Sequence, residues 1–201
     1  MSNKLIKRCK WAEFSELIKK YHDEEWGTPV HDDKLHFEFL ILEGAQAGLS
    51  WNTILQKREN FRNVFDDFNY RKIARYNEQK IEELLNYPGI IRNKLKITAA
   101  VTNAKALLKV QEEFGSFDNY IWKFVNYTPI DNKFKTLEEL PSKTNISEII
   151  SKDLKKHGFK FVGPTIIYSF MQAVGMTNDH TTDCFRYEEI KQISKSSPNI
   201  N

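Results

Sequence analysis

The stretch Ile97-Thr98-Ala99-Ala100-Val101-Thr102-Asn103-Ala104-Lys105-Ala106-Leu107-Leu108 decides what kind of chain this is. Ile97, Ala100, Val101, Ala104, Leu107 and Leu108 recur at the spacing of one helix face, over nearly the whole segment. Phe37, Leu40, Ile41 and Gly44 repeat the same pattern upstream. Thr136 with Glu139, and Asn145 with Glu148, carry the spacing of helix N-terminal caps. No apolar-polar alternation of period two persists, and β-branched residues do not gather into runs bounded by turns. The sequence predicts an all-α fold of about eight to ten short helices, with an irregular stretch near residues 126–135.

Working outward, 201 residues and 23.7 kDa fit one helical domain, drawn here as 1–192, or two small lobes sharing a pocket. The Ser- and Asn-rich tail 193–201 is expected to fray. With 40% hydrophobic and 28% charged residues, disorder, collagen and coiled coil are excluded. The mean hydropathy of −0.57 and the lack of a long apolar run exclude a membrane span. Met1 to Phe14 holds basic residues but no apolar core of a signal peptide, so a cytoplasmic protein is expected. In that compartment Cys9 and Cys184 disfavour a structural disulfide and leave metal ligation or plain burial.

The segment just before the opening helix, Leu84-Leu85-Asn86-Tyr87-Pro88-Gly89-Ile90-Ile91-Arg92-Asn93-Lys94, separates two helical patterns. Pro88 ends the first helix, and Gly89 is expected to supply the permissive φ of a tight turn. If the next helix begins at once, its free N–H groups face a phosphate, with Arg92 and Lys94 adding charge. This is a partial match to a helix-hairpin-helix element, since Ile91 stands where a second glycine is common. Charge is uneven around it. Residues 91–109 and 151–160 together carry a net +8, leaving −5 for the rest of a chain whose net charge is only +3. Basic stretches suit a phosphate backbone, although lysines that merely solvate helices give the same count.

Further upstream lies Leu42-Glu43-Gly44-Ala45-Gln46-Ala47-Gly48-Leu49-Ser50-Trp51. Glu43 projects from an apolar helix face, where a carboxylate is costly unless paired or used. Gly44, Ala47 and Gly48 are small and leave room beside it, and Ser50 reads as an N-cap with Trp51 in the next first turn. A pairing arginine with Trp51 as ordinary core is the alternative. The run Tyr21-His22-Asp23-Glu24-Glu25-Trp26-Gly27 mixes aromatics, imidazole and acids in a way amphipathicity does not explain, but a site stacking a flat ligand does. Cys9 and His22 lie 13 residues apart, and His180 and Cys184 lie 4 apart. Two Cys and two His make a closed zinc set, with buried thiols and surface histidines as the alternative. His31, His36 and His157 compete as ligands.

Cys9-Lys10-Trp11, the run 21–27, the run 42–51, Lys57-Arg58-Glu59-Asn60, Gly89-Ile90-Ile91-Arg92, Phe159-Lys160-Phe161-Val162-Gly163 and Tyr168-Ser169-Phe170-Met171-Gln172-Ala173 occur in one order. Together they resemble the 3-methyladenine DNA glycosylase I family, from about Cys9 to about Tyr187. The resemblance implies a helix-hairpin-helix glycosylase whose structural zinc is held by Cys9, His22, His180 and Cys184. It implies that Glu43 contacts the excised base, that Tyr21 and Trp51 stack on it, and that Trp26 lines the pocket. Gly48 and Leu49 would lie near the gap left in the duplex, with Gly89, Arg92 and Lys94 toward the backbone. The family lacks the usual catalytic Asp after the hairpin, and here no acid occurs between Glu83 and Glu112; Glu43 is named as the catalytic candidate, with base recognition as its first role. The implied activity is monofunctional hydrolysis of 3-methyladenine from alkylated double-stranded DNA in base excision repair. The free base would be a product ligand, and the enzyme a cytoplasmic monomer.

Overall fold

The computed structural model describes residues 6–196. Among them are ten α-helices: α1 (Glu16–Glu24), α2 (Asp33–Gln46), α3 (Trp51–Val64), α4 (Tyr70–Ile73), α5 (Glu78–Asn86), α6 (Lys94–Phe114), α7 (Phe117–Trp122), α8 (Asn145–Lys156), α9 (Pro164–Ala173) and α10 (Phe185–Ser196). Two short strands interrupt the helical pattern. β1 (Ile130–Asp131) falls in the irregular stretch and pairs in parallel with β2 (Thr177–Asn178). No described helix is long and apolar enough to cross a membrane.

Local chemistry starts these helices. Ser15, Asp32, Ser50, Asn69, Asn77, Asn93, Ser116 and Thr144 each sit at an N-cap and accept a backbone N–H through the side chain. Such a cap contributes about 1 kcal/mol by satisfying a donor the helix leaves orphaned. The expected cap at Asn145 lies one residue earlier, where Thr144 and Ser147 form a reciprocal capping box. Thr136 precedes only a short 3-10 turn and makes no side-chain cap, because Glu139 instead accepts from Lys135 N at 2.6 Å.

Helix α2 is the centre of the molecule. It packs on α3, α6, α7 and α9, and every residue from His36 to Ala45 is buried. Burial thus runs round its whole circumference, which a one-faced periodicity does not convey. In α6 the predicted stripe holds from Ile97 to Leu107, while Leu108 stays partly exposed. At the C-terminal end, α10 continues through residues 193–196, where fraying was expected. Ile190 is fully buried and accepts Ser194 Oγ at its carbonyl, which anchors that turn. Residues 197–201 of the expected tail lie outside the described residues.

The connection between α5 and α6 departs from the expected hairpin. Asn93 is the N-cap and α6 starts at Lys94, so residues 90–93 intervene after Gly89 and Arg92 lies outside the helix. Gly89 does not adopt a positive φ. What requires glycine there is proximity: an added Cβ would lie 2.4 Å from Tyr87 Cε1 and 3.0 Å from Asn60 Cγ. The Gly89 carbonyl accepts Asn60 Nδ2 at 3.3 Å and Lys57 Nζ at 3.5 Å, fastening the turn to α3.

Candidate functional site: a four-ligand cluster beside a base-sized cleft

The ends of the described chain meet at a cluster of four buried side chains. Cys9 precedes the 3-10 turn Lys10–Phe14, His22 lies in the last turn of α1, and His180 and Cys184 lie between β2 and α10. Their ligand atoms lie within 4.8 Å of one another, and no other such set of three or more occurs among the described residues. Cys184 Sγ is 3.4 Å from His22 Nε2 and 3.7 Å from His180 Nδ1, and Cys9 Sγ is 3.6 Å from His180 Nδ1. A tetrahedral zinc with ordinary bond lengths sets sulfur and nitrogen about 3.5 Å apart. The donor set therefore fits that ion.

The outer atoms of the ligands are already committed. His22 Nδ1 lies 2.8 Å from Asp23 Oδ1, and Asp23 is held in turn by Arg8. His180 Nε2 meets the Trp26 carbonyl at 3.1 Å, and Cys9 Sγ accepts Thr181 N at 3.4 Å. These contacts leave the remaining nitrogen of each ring aimed at the sulfurs. The Cys9 thiol is lowered to about 7, chiefly because the Cys184 thiol hydrogen-bonds to its thiolate, with burial opposing. The competing histidines go elsewhere: His31 and His36 both face Asp118, and His157 faces Asp153.

The second feature is a cleft of about 200 Å³ walled by Glu43, Gln46, Ala47, Gly48, Leu49, Thr165, Ile166 and Ser169. Glu43 comes from the last turns of α2 and is 4% exposed. It has no hydrogen bond or ion pair among the described residues, and burial raises its pKa to about 8. Tyr21 and Trp51 meet beside it, ring centroids 5.4 Å apart and tilted by 54°. Burial holds the Tyr21 phenol well above its ordinary pKa, and the carboxylates of Glu43 and Glu25 add to the rise. Arg58 and the Trp51 indole oppose it, although the indole N–H does not reach hydrogen-bond geometry with any acceptor.

The remaining expected residues divide. Gly48 takes φ +81° with open space beside it, and Leu49 is 42% exposed at the cleft rim. Gly44 makes no room for a ligand, because an added Cβ would lie 3.3 Å from Phe161 Cβ. Trp26 packs edge-on against Trp11 and His180, on the side of the ligand cluster, and neither it nor Tyr21 nor Trp51 is among the residues that wall the cleft. Arg92 and Lys94 are exposed, with Gly89 partly covered between them and α3. The two basic stretches are neighbours, since Asn103 of α6 bonds both backbone groups of Lys160, at 2.7 and 3.0 Å.

Sequence reasoning assigned no role to four cleft residues, Gln46, Thr165, Ile166 and Ser169. Thr165 and Ser169 are small polar residues one turn apart in the largely apolar α9, a signal the sequence contained. It also missed Arg58. That buried guanidinium on α3 bonds Glu38 of α2 at 2.6 Å and Glu25 beyond α1 at 2.7 Å, tying together the helices that carry Trp51, Glu43 and Tyr21.

Fold and site define a helical protein with a small cleft at a buried carboxylate, and with two cysteines and two histidines clustered where the ends of the described chain meet. The family model for methyladenine glycosylase matches residues 11–187. DNA-3-methyladenine glycosylase 1 of Escherichia coli strain K12 is 47% identical over 182 residues, covering 90% of this chain and 97% of that protein. A crystal structure of 3-methyladenine DNA glycosylase I superposes with a TM-score of 0.87 at 47% identity, covering 89% of this chain and 98% of the other. A variant of such an enzyme, solved in complex with 3-methyladenine, gives 0.86 at 36% identity, covering 88% and 95%. The chain belongs to the methyladenine glycosylase family.

Proposed function

We propose that this chain is a monofunctional DNA glycosylase that extracts 3-methyladenine from alkylated double-stranded DNA and hydrolyses its N-glycosidic bond, leaving an abasic site for base excision repair. The observation that carries the reading is Glu43: a buried carboxylate without a cation, at a cleft beside paired aromatic rings. The apo protein bears the cost of that burial, and a positively charged ring relieves it.

Methylation at N3 makes the nucleotide base cationic and a good leaving group. Extraction costs a few kcal/mol, less for a damaged base than for a paired one. Tyr21 and Trp51 then stack on the cation, worth about 0.5–2 kcal/mol. The incoming charge draws the Glu43 proton away, and the resulting carboxylate accepts hydrogen bonds from the adenine edge. As the bond from C1′ to the base nitrogen breaks, its electron pair leaves with the base and neutralises it. Glu43 stabilises the developing positive sugar, water adds to C1′, and the proton it loses passes to bulk solvent. Neutral adenine gains little from either contact.

Zinc is the ion we assign to Cys9, His22, His180 and Cys184, in a structural role that holds the chain ends together. The basic stretches, the Tyr87–Asn93 turn with Gly89, Arg92 and Lys94, and the Gly48-Leu49 rim form the duplex-facing side, which we read as a variant of the helix-hairpin-helix surface. The two lobes act as one domain that meets at the cleft, as a cytoplasmic monomer. Measuring base release from alkylated duplex by Glu43→Gln tests this reading. Excision by the variant should fall by about 100-fold, the scale of one lost transition-state contact. Near-normal release would remove Glu43 from the centre of the site.

A further inference from the structure

Lys96 lies in the first turn of α6, just past the Asn93 cap, yet it does not extend to solvent as Arg92 and Lys94 do. Its ammonium donates to the Ala45 carbonyl at 2.8 Å and the Ala47 carbonyl at 2.7 Å. Both carbonyls belong to the C-terminal end of α2, where helix groups lack intrahelical partners and the helix dipole is negative. Partial burial lowers the Lys96 pKa, and the two carbonyls offset that cost. Beyond Ala47 the chain passes through Gly48 at φ +81° and exposed Leu49, then enters α3 at Ser50. The turn that Lys96 holds therefore joins the elements bearing Glu43 and Trp51 and forms one wall of the cleft.

The other end of this contact is the α5–α6 connection. Its Gly89 carbonyl is clamped to α3 by Asn60 and Lys57, and the connection runs directly into the helix that carries Lys96. Two polar links thus tie it into the pocket frame, one at its start through α3 and one at its end through Lys96. We infer that Lys96 is a positioning residue that fixes the Leu49 turn against the α5–α6 connection, so that the turn meets the opened duplex as a preset wedge. Its charge serves the protein backbone and not a DNA phosphate. This inference rests on the proposed duplex-facing role of both segments.

The test compares Lys96→Met and Lys96→Arg with the unaltered chain in single-turnover excision from alkylated duplex. Duplex affinity across a salt series and quenching of tryptophan fluorescence by free 3-methyladenine complete the measurement. Lys96→Met should slow excision about tenfold, the scale of one charge-assisted hydrogen bond. The salt slope should be unchanged, free-base affinity should stay within about twofold, and Lys96→Arg should restore most of the rate. A salt slope shallower by about one would overturn the inference in favour of a phosphate contact. An unchanged rate would also overturn it, as would an equal loss of free-base affinity, which would mark general damage to the pocket. Failure of the unaltered chain to release base would sink the glycosylase reading itself, before any variant is made.

Discussion

Two buried polar regions of this protein are built on opposite rules. In the cysteine-histidine cluster three of the four side chains are held from outside, His22 by Asp23, His180 by the Trp26 carbonyl and Cys9 by Thr181, while Cys184 meets the other members. In the cleft, Glu43 has no partner among the described residues and the Trp51 N–H finds no acceptor. Closed networks specify structure, whereas buried groups left without partners mark where something from outside completes the set.

The contrast breaks most easily at the cluster. Cys184→Ser should lose bound metal, about one equivalent by elemental analysis of the unaltered protein. It should also lower stability by about 4 kcal/mol, or roughly 10 °C in Tm. A metal-free protein of full stability would contradict the reading of the cluster.

At the cleft the sign reverses. Glu43 ordinarily titrates near 4.5 and is raised to about 8 in the fold, so the folded state holds a proton that the unfolded chain has released between those values. Its contribution is greatest below pH 4.5 and is lost as the pH rises through about 8. Glu43→Gln removes that loss. Its Tm should exceed that of the unaltered protein by about 5 °C at pH 8.5, with the gain vanishing toward pH 4.5, in thermal melts across pH. An equal gain at both ends would show that burial of charge is not the cause.

Trp51→Phe gives the smallest effect. Losing an N–H that has no acceptor should leave stability within about 1 kcal/mol of the original by chemical denaturation, while keeping a ring to stack on the base. A larger loss would mean that the indole nitrogen has a structural partner after all.

Much of this was legible in the residues. The periods around Leu40 and Ile97 report helices because side chains on one face meet one core, and Ser50 reports a cap because a hydroxyl at that place meets an orphan N–H. Glu43 stood out because a carboxylate has no ordinary reason to lie among Leu40, Leu42 and Ala45. The rest depended on contacts that sequence spacing does not encode. Gly44 and Gly89 are small because Phe161 and Tyr87 come close from elsewhere in the chain, and glycine alone does not say whether space or a turn is needed. Trp26 is near the pocket run in sequence, yet it faces His180, 154 residues away. Lys96 looked like one more surface charge because its partners are backbone carbonyls, which leave no mark on composition.

The meeting of Cys9 with Cys184 has one further consequence. The described chain behaves as a loop whose two ends share a knot, and His22 in that knot is the immediate neighbour of Tyr21 in the pocket. Pulling Cys9 away from Cys184 would open the cluster and loosen α1, the helix that carries both His22 and Tyr21. Unravelling that reaches Cys9 or Cys184 is therefore felt at once in α1, far along the chain from one of the two cysteines.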